Sequence, residues 1–198
     1  MPQNSNLVFS WHTVNILIIR IFIQRGITKI TPEDMEYAAK LGRTIKLLGT
    51  SRRNEDDTCY AMVAPFLIGR DSPLYSVNDV FNAVFVHGNM LGDAMFYGSG
   101  AGKLPTASAV VGDIVDAAKH LHTNIFTNWN STPAKLRPLD QVSGRFFVRV
   151  KREAAEEAKE LFENAEMICL DQLPEECAFI TTDMTQGEFC VRAEKLGA

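Results

Sequence analysis

The stretch "MFYGSGAGKLPTASAVVGDIVDAAKHL", residues 95–121, decides how the chain is read. A strand-like opening runs into a Gly-rich turn, and a helical pattern follows. Val110, Ile114, Ala118 and Leu121 recur at spacings of three and four, which places them on one helix face. The first turns hold only small or β-branched residues, Ala107, Ser108, Ala109, Val110, Val111 and Gly112, so the helix is expected to lie close against a sheet. A helix starting near Thr106 directs unpaired N–H groups and partial positive charge toward the turn. Gly100 and Gly102 let another group come near because neither has a Cβ, and Lys103 adds charge. Two explanations stay open at this point: a turn that receives a ligand, and a plain strand-to-helix turn that needs glycine for its dihedrals.

Two standard phosphate loops are excluded by spacing. A Walker A loop reads G-x-x-x-x-G-K-[ST]. Here Gly98 and Gly102 have three residues between them, and Leu104 stands where the metal-binding hydroxyl belongs. The dinucleotide fingerprint G-x-G-x-x-G meets Lys103 when started at Gly98 and Pro105 when started at Gly100.

Working outward, "TPEDMEYAAKLG", residues 31–42, predicts a helix: Thr31 caps, Pro32 fits the first position, Asp34 completes a capping box and Gly42 ends it. "RTIKLLGTSRR" and "TCYAMVAPFLIG" read as strands joined by the polar turn 54–57. "SPLYSV" is a loop or short helical turn. "FNAVFVHGNMLGDAMFYG" gives two strands hinged at Gly88-Asn89. The segment 122–142 is rich in Asn and Thr with two prolines and reads as a linker, with Phe126 and Trp129 available to pin it. After it come a strand in "GRFFVRV", a helix in "EAAEEAKELFENA", strands in "EMICLD" and "CAFITTD", and a helix in "TQGEFCVRAEKL". The fold class is therefore α+β: a mixed or antiparallel sheet with helices on one face, then a small β-α-β-β-α tail that is ferredoxin-like without its last strand. The expected divisions are 1–123, a linker over 124–143, and the tail over 144–198.

Composition supports a soluble globular chain. Its 198 residues are 46% hydrophobic and 22% charged, with a net charge of −4, which argues against a nucleic-acid or anionic-membrane surface. The apolar run "VNILIIRIFI", residues 14–23, contains Arg20 and falls short of the ~20 residues of a membrane span; a buried strand is expected. No signal-peptide pattern is visible, so a cytoplasmic location is expected. Cys59, Cys169, Cys177 and Cys190 lack metal or redox spacing and are expected to be buried or half-buried free thiols. His12, His87, His120 and His122 make no metal set, and His120 and His122 suit a helix C-terminus. Ser108 lies in no nucleophile elbow. Glu55, Asp56 and Asp57 are expected to be a solvated turn, and Glu156, Glu157 and Glu160 a wet helix face.

Taken together, "GITKITPEDMEYAAKLG", "IKLLG", "SPLYSVNDVFNAVFVHG", "MFYGSGAGKLPTASAVVGDIVDAA" and "RPLDQVSGRFFVRV" resemble the C-terminal portion of homoserine dehydrogenase, over roughly residues 14–150. The resemblance implies NAD(P)-dependent interconversion of L-homoserine and L-aspartate 4-semialdehyde, on the route to threonine, methionine and isoleucine. It implies that Gly100, Gly102, Pro105 and Thr106 approach a cofactor, NAD or NADP, gripped mainly by another domain. It also implies a homodimer. The family's glycine fingerprint and its catalytic lysine match nothing here, so no catalytic residue is carried over, and the chain alone is expected to be inactive. "NILIIRIFIQRGI" departs from the family's acidic version of that strand, and Arg25 looks inserted, as a frame disturbance or artificial start would leave it. The tail resembles an ACT-like module but lacks its Asp-x-Pro-Gly turn. The rival reading is a non-catalytic dimeric regulator or amino-acid-binding protein derived from the same family, and a weaker one is a phosphate-binding module at the Thr106 helix start.

Overall fold

The computed structural model describes residues 6–7, 23–24, 26–126 and 133–196. Strand β1 (Asn6–Leu7) and strand β2 (Ile23–Gln24) are short. Most of the run at 14–23, His12, Arg25 and Trp129 lie outside the described residues. Helix α1 spans Pro32–Lys40 and is built as its sequence dictates. The Thr31 backbone N–H donates to Asp34 Oδ2 at 2.9 Å, and Gly42 takes φ +65° just beyond the last turn, a conformation that costs glycine nothing.

Strands β3 (Arg43–Arg53) and β4 (Thr58–Gly69) form a long antiparallel pair, in register from Arg43 opposite Gly69 to Arg53 opposite Cys59. The 54–57 turn closes it, with Asp57 at φ +65°. β1 lies parallel to β3, and β2 parallel to β4, so the sheet is mixed. A 3-10 turn at Pro73–Ser76, capped by Ser72, leads to the next hairpin.

That hairpin, β5 (Phe81–Gly88) and β6 (Gly92–Ser99), makes a two-stranded sheet of its own instead of extending the first. Its turn is Asn89, Met90 and Leu91, and the left-handed residue is Gly92 at φ +71°, not the expected Gly88-Asn89. Helix α2 (Lys103–Lys119) follows. The expected linker is partly ordered: β7 (Lys135–Leu136) joins β4 in parallel, and a 3-10 turn covers Leu139–Gln141.

The tail contains β8 (Ser143–Gly144), β9 (Phe147–Lys151), α3 (Ala155–Leu161), β10 (Glu176–Ile180), β11 (Met184–Thr185) and α4 (Gln186–Lys195). β9 and β10 pair antiparallel along their full length, and β8 pairs with β11. The expected strand in "EMICLD" reduces to a single bridge, Ile168 with Ala178. Helix α3 is shorter than its pattern suggests, because Phe162 leaves the helix and Asn164 turns left-handed at φ +60°.

Two faces of the β9–β10 pair are buried differently. On one, Val148, Ala158, Phe162, Phe179 and Met184 form a core with Phe189 packed against it. Phe162 and Phe179 meet at 5.3 Å between ring centres, and Phe146 stacks on Phe189 at 4.2 Å. On the other, Ala178 and Leu170 pack with Tyr37 of α1. Helix α1, early in the chain, thus covers the far side of the tail. Arg149 fixes it there: Nη1 donates to Thr31 Oγ1 at 2.8 Å and lies 3.2 Å from Asp34 Oδ1, while Nε lies 3.2 Å from Glu176 Oε2.

Candidate functional site

The candidate site begins where β6 ends. Phe81 and Tyr97, diagonal neighbours across the hairpin, stack at 4.9 Å, 14° from parallel, close to the turn. The Gly100 N–H donates to Val80 O at 3.3 Å, the last tie before the chain leaves the sheet. The glycines then separate into different roles. A Cβ on Gly100 would fall 1.5 Å from Asn82 Nδ2, so this glycine makes room for a side chain of the same protein. Gly102 sits at φ +119°, a conformation closed to other residues, and serves as the helix N-cap.

The helix starts at Lys103, three residues before the expected Thr106. Pro105 is tolerated because it stands in the first turn, where its missing N–H has no intrahelical partner. The Thr106 N–H is already taken, donating to Gly102 O at 3.1 Å. The first-turn donors free of intrahelical bonds are therefore those of Lys103 and Leu104, not of Thr106. Gly100, Gly102, Pro105 and Thr106 are together on one turn and all exposed, so the turn is open to an approaching group.

Among the described residues no sheet packs closely on helix α2, although its small first turns would let it lie against one. None of its residues is buried, and Leu104, Val110, Val111 and Ile114 are all more than half exposed. Phe96, on β6, is 67% exposed as well. The small surface is present; the layer to cover it is not found among the described residues. At the far end His120 accepts the expected place, its Nδ1 2.9 Å from Asp116 O at the helix C-terminus.

Other charged groups are placed more firmly than sequence reasoning allowed. Asp56 is more than a solvated turn residue: it receives Thr58 Oγ1 at 2.6 Å and Arg137 Nη2 at 2.7 Å. These bonds, Thr58 first, pull its carboxyl down to about 2. Lys46 donates to Val77 O and, at 2.6 Å, to Asn78 Oδ1, tying β3 to the loop before β5; burial lowers its pKa. His87 and Asp93 pair across the hairpin. Nothing in local spacing announced the distant partners, Arg137 for Asp56 and Asn78 for Lys46. Cys169 is exposed, against expectation, while Cys177 is buried.

A second concavity, a cleft of about 610 Å³, opens between the β3–β4 sheet and the tail, walled by Met62, Pro65, Phe66, Phe146 and Phe189. Among the described residues, its lining includes the guanidinium groups of Arg43 and Arg145 but no carboxylate, histidine or lysine. None of the glycine-turn residues is among the described residues that border it. Among the described residues, no cluster of three or more His, Cys, Asp or Glu could hold a metal ion, and no helix is long and apolar enough to cross a membrane.

The homoserine dehydrogenase family pattern matches residues 10–115, more than half of the chain. The chain belongs to the homoserine dehydrogenase family. Among its relatives, the homoserine dehydrogenase of Bacillus subtilis is 40% identical over 104 residues, covering 52% of this chain and 24% of the relative. That of Mycobacterium tuberculosis is 48% identical over 101 residues, covering 49% and 23%. The crystal structure of a homoserine dehydrogenase from Thiobacillus denitrificans superposes with a TM-score of 0.77 at 26% identity, over 92% of this chain and 45% of that one. The Staphylococcus aureus homoserine dehydrogenase at pH 6.0 gives 0.65 at 28% identity, over 91% and 46%. This family member therefore spans about a quarter to a third of the curated relatives and under half of the solved ones. Its glycine turn and α2 lie inside the matched region up to residue 115.

Proposed function

We propose that this chain supplies the lid and the subunit-pairing portion of a homoserine dehydrogenase acting on L-homoserine and L-aspartate 4-semialdehyde. NAD or NADP, when bound, supplies the hydride acceptor or donor. In this reading Gly102 and Pro105 shape the turn, the Lys103 and Leu104 N–H groups face the approaching coenzyme, and the apolar side of α2 excludes water from the reacting face. Gly100 contributes by seating Asn82, and Thr106 by closing the first helical bond. The phosphates are gripped by another module, because the turn has neither phosphate-loop spacing. The observation that carries the proposal is the conjunction of an open, glycine-capped helix start with an uncovered apolar helix, in a chain of this family.

The same proposal assigns two subunits to the working enzyme, since exposed Phe96, Val110 and Ile114 call for cover. It assigns the tail a structural role as an ACT-like module, with helices α3 and α4 on one face of the β9–β10 pair, and gives the enzyme a cytoplasmic setting in threonine and methionine biosynthesis. The test is reconstitution. The purified chain alone gives no homoserine-dependent reduction of NAD or NADP. Mixed with a separately produced dinucleotide-binding portion of a relative, it gives a measurable rate, which Leu104→Glu abolishes. Turnover by the chain alone, or a rate in the mixture indifferent to Leu104→Glu, overturns the proposal.

A further inference from the structure

The Ile168–Ala178 bridge fixes the relation of two cysteines. Ile168 N–H donates to Ala178 O at 2.7 Å, and Ala178 N–H donates to Ile168 O at 2.9 Å. Residues that exchange both bonds form the hydrogen-bonded pair of an antiparallel ladder. One step along, Cys169 stands opposite Cys177 at the non-hydrogen-bonded position, where Cα atoms lie about 4.5 Å apart and side chains share a face. That spacing is inside the range a disulfide spans, about 4.4–6.8 Å. The segments are joined by a short connection tightened by Leu173 N–H to Leu170 O at 3.0 Å and Glu176 N–H to Leu173 O at 3.2 Å. The thiols are therefore held together by local structure, and each is free in the reduced chain.

Their exposures differ in a useful way. Cys169 is open to solvent, whereas Cys177 is 1% exposed between β9 and the bridge. Burial raises the Cys177 thiol, and the Cys169 sulfur beside it raises it further; Arg152 and Lys159 pull the other way. Lys159 is itself paired with Glu156 at 2.7 Å. A solvent-borne oxidant reaches the outer sulfur first.

We propose that Cys169 and Cys177 form a reversible cross-strand disulfide, with Cys169 as the attacking thiol, Cys177 as the resolving thiol and a small-molecule disulfide as oxidant. The Cys169 thiolate attacks one sulfur of oxidised glutathione, breaks its S–S bond and releases one glutathione thiol. Cys177 then gives up its proton and attacks the Cys169 sulfur of the mixed disulfide, releasing the second glutathione. Two protein thiols are oxidised and one glutathione disulfide is reduced to two thiols. The bond secures the 168–170 segment to β10 beside Leu170 and Tyr37, where α1 meets the tail.

The full chain is incubated with excess oxidised glutathione, alkylated without reductant and mapped by mass spectrometry. The expected product is a peptide linking Cys169 to Cys177, with Cys59 and Cys190 alkylated. In Cys177→Ser, glutathione accumulates on Cys169. In Cys169→Ser, an exposed change that leaves the core intact, Cys177 stays reduced. Stable glutathionylation of Cys169 in the wild type without the linked peptide overturns the proposal. So does predominant pairing of either cysteine with Cys59 or Cys190. Because the wild-type map needs no variant, a failure of Cys177→Ser to fold does not spare the proposal.

Discussion

At the scale of single residues, two positions set out what the turn and its neighbours depend on. Gly102 holds the start of α2 in a dihedral region where a side chain costs about 1–3 kcal/mol. In Gly102→Ala the cost falls on the bond from Thr106 N–H to Gly102 O. Hydrogen exchange at the Thr106 amide is expected to quicken by roughly tenfold or more, since ~1.4 kcal/mol is a factor of ten; unchanged protection would show that the turn tolerates a Cβ. Asp56 gives the pH signature. Its carboxyl falls from the usual 3.8 to about 2 in the folded chain. A folded pKa below the unfolded one means the contribution is complete above the unfolded value and disappears as pH drops through the folded one. Carboxyl NMR titration should show a midpoint near 2, moving toward the usual value in Arg137→Met, which removes one of the bonds to it. These residues also mark what the sequence could reveal. Gly102 was readable because a glycine before a helix has few other uses. At Gly100 the sequence showed only that a neighbour could come close; that Asn82, eighteen positions upstream, is one such neighbour becomes visible only once the hairpin forms.

Secondary elements follow a similar division. Helix α1 was legible to the residue because Thr31, Pro32, Asp34 and Gly42 are local signals. Helix α4 is capped in the same way, Thr185 N–H donating to Glu188 Oε2 at 2.8 Å and Glu188 N–H to Thr185 Oγ1 at 3.2 Å. The start of α2 was placed near Thr106, three residues late, since the apolar pattern begins beyond Pro105 while a proline is equally at home in a helix's first turn. The strand in "EMICLD" was overcalled: an apolar run of that length suits a strand, but only Ile168 finds a partner. The attachment of α1 to the tail was not legible at all, since Arg149 and Asp34 are far apart in the chain. Replacing Arg149 by Met keeps the apolar stem and removes its hydrogen bond to Thr31 Oγ1 together with its ion pairs to Asp34, which is 13% exposed, and Glu176, which is 34% exposed. A hydrogen bond from a charged donor contributes about 1.5–3 kcal/mol, so a loss of that order in urea unfolding is expected. An unaltered midpoint would mean that α1 is held by Tyr37 packing alone.

For the molecule as a whole, the family assignment came from several segments in order, which no single loop could supply, while the position of the glycine turn on an uncovered helix needed the structure. The expected boundary near residue 143 corresponds to a change in composition, yet the packing crosses it. Tyr37 is wholly buried against Ala178 and Leu170, and its hydroxyl has no hydrogen-bond partner. Ending the chain at residue 143 would uncover that ring and leave the acids of α1 without Arg149. Such a shortened chain is expected to lose α1 helicity by circular dichroism and to associate nonspecifically in sedimentation; a monodisperse, fully helical product would show that the front portion is self-sufficient.

The clasp between α1 and the tail constrains how this protein could be remodelled. A gene that swapped its last segment for an unrelated cassette would need a replacement presenting a basic side chain and a shallow aromatic seat at matching places. Wholesale exchange of the tail would therefore cost stability that a bead-on-a-string layout would keep.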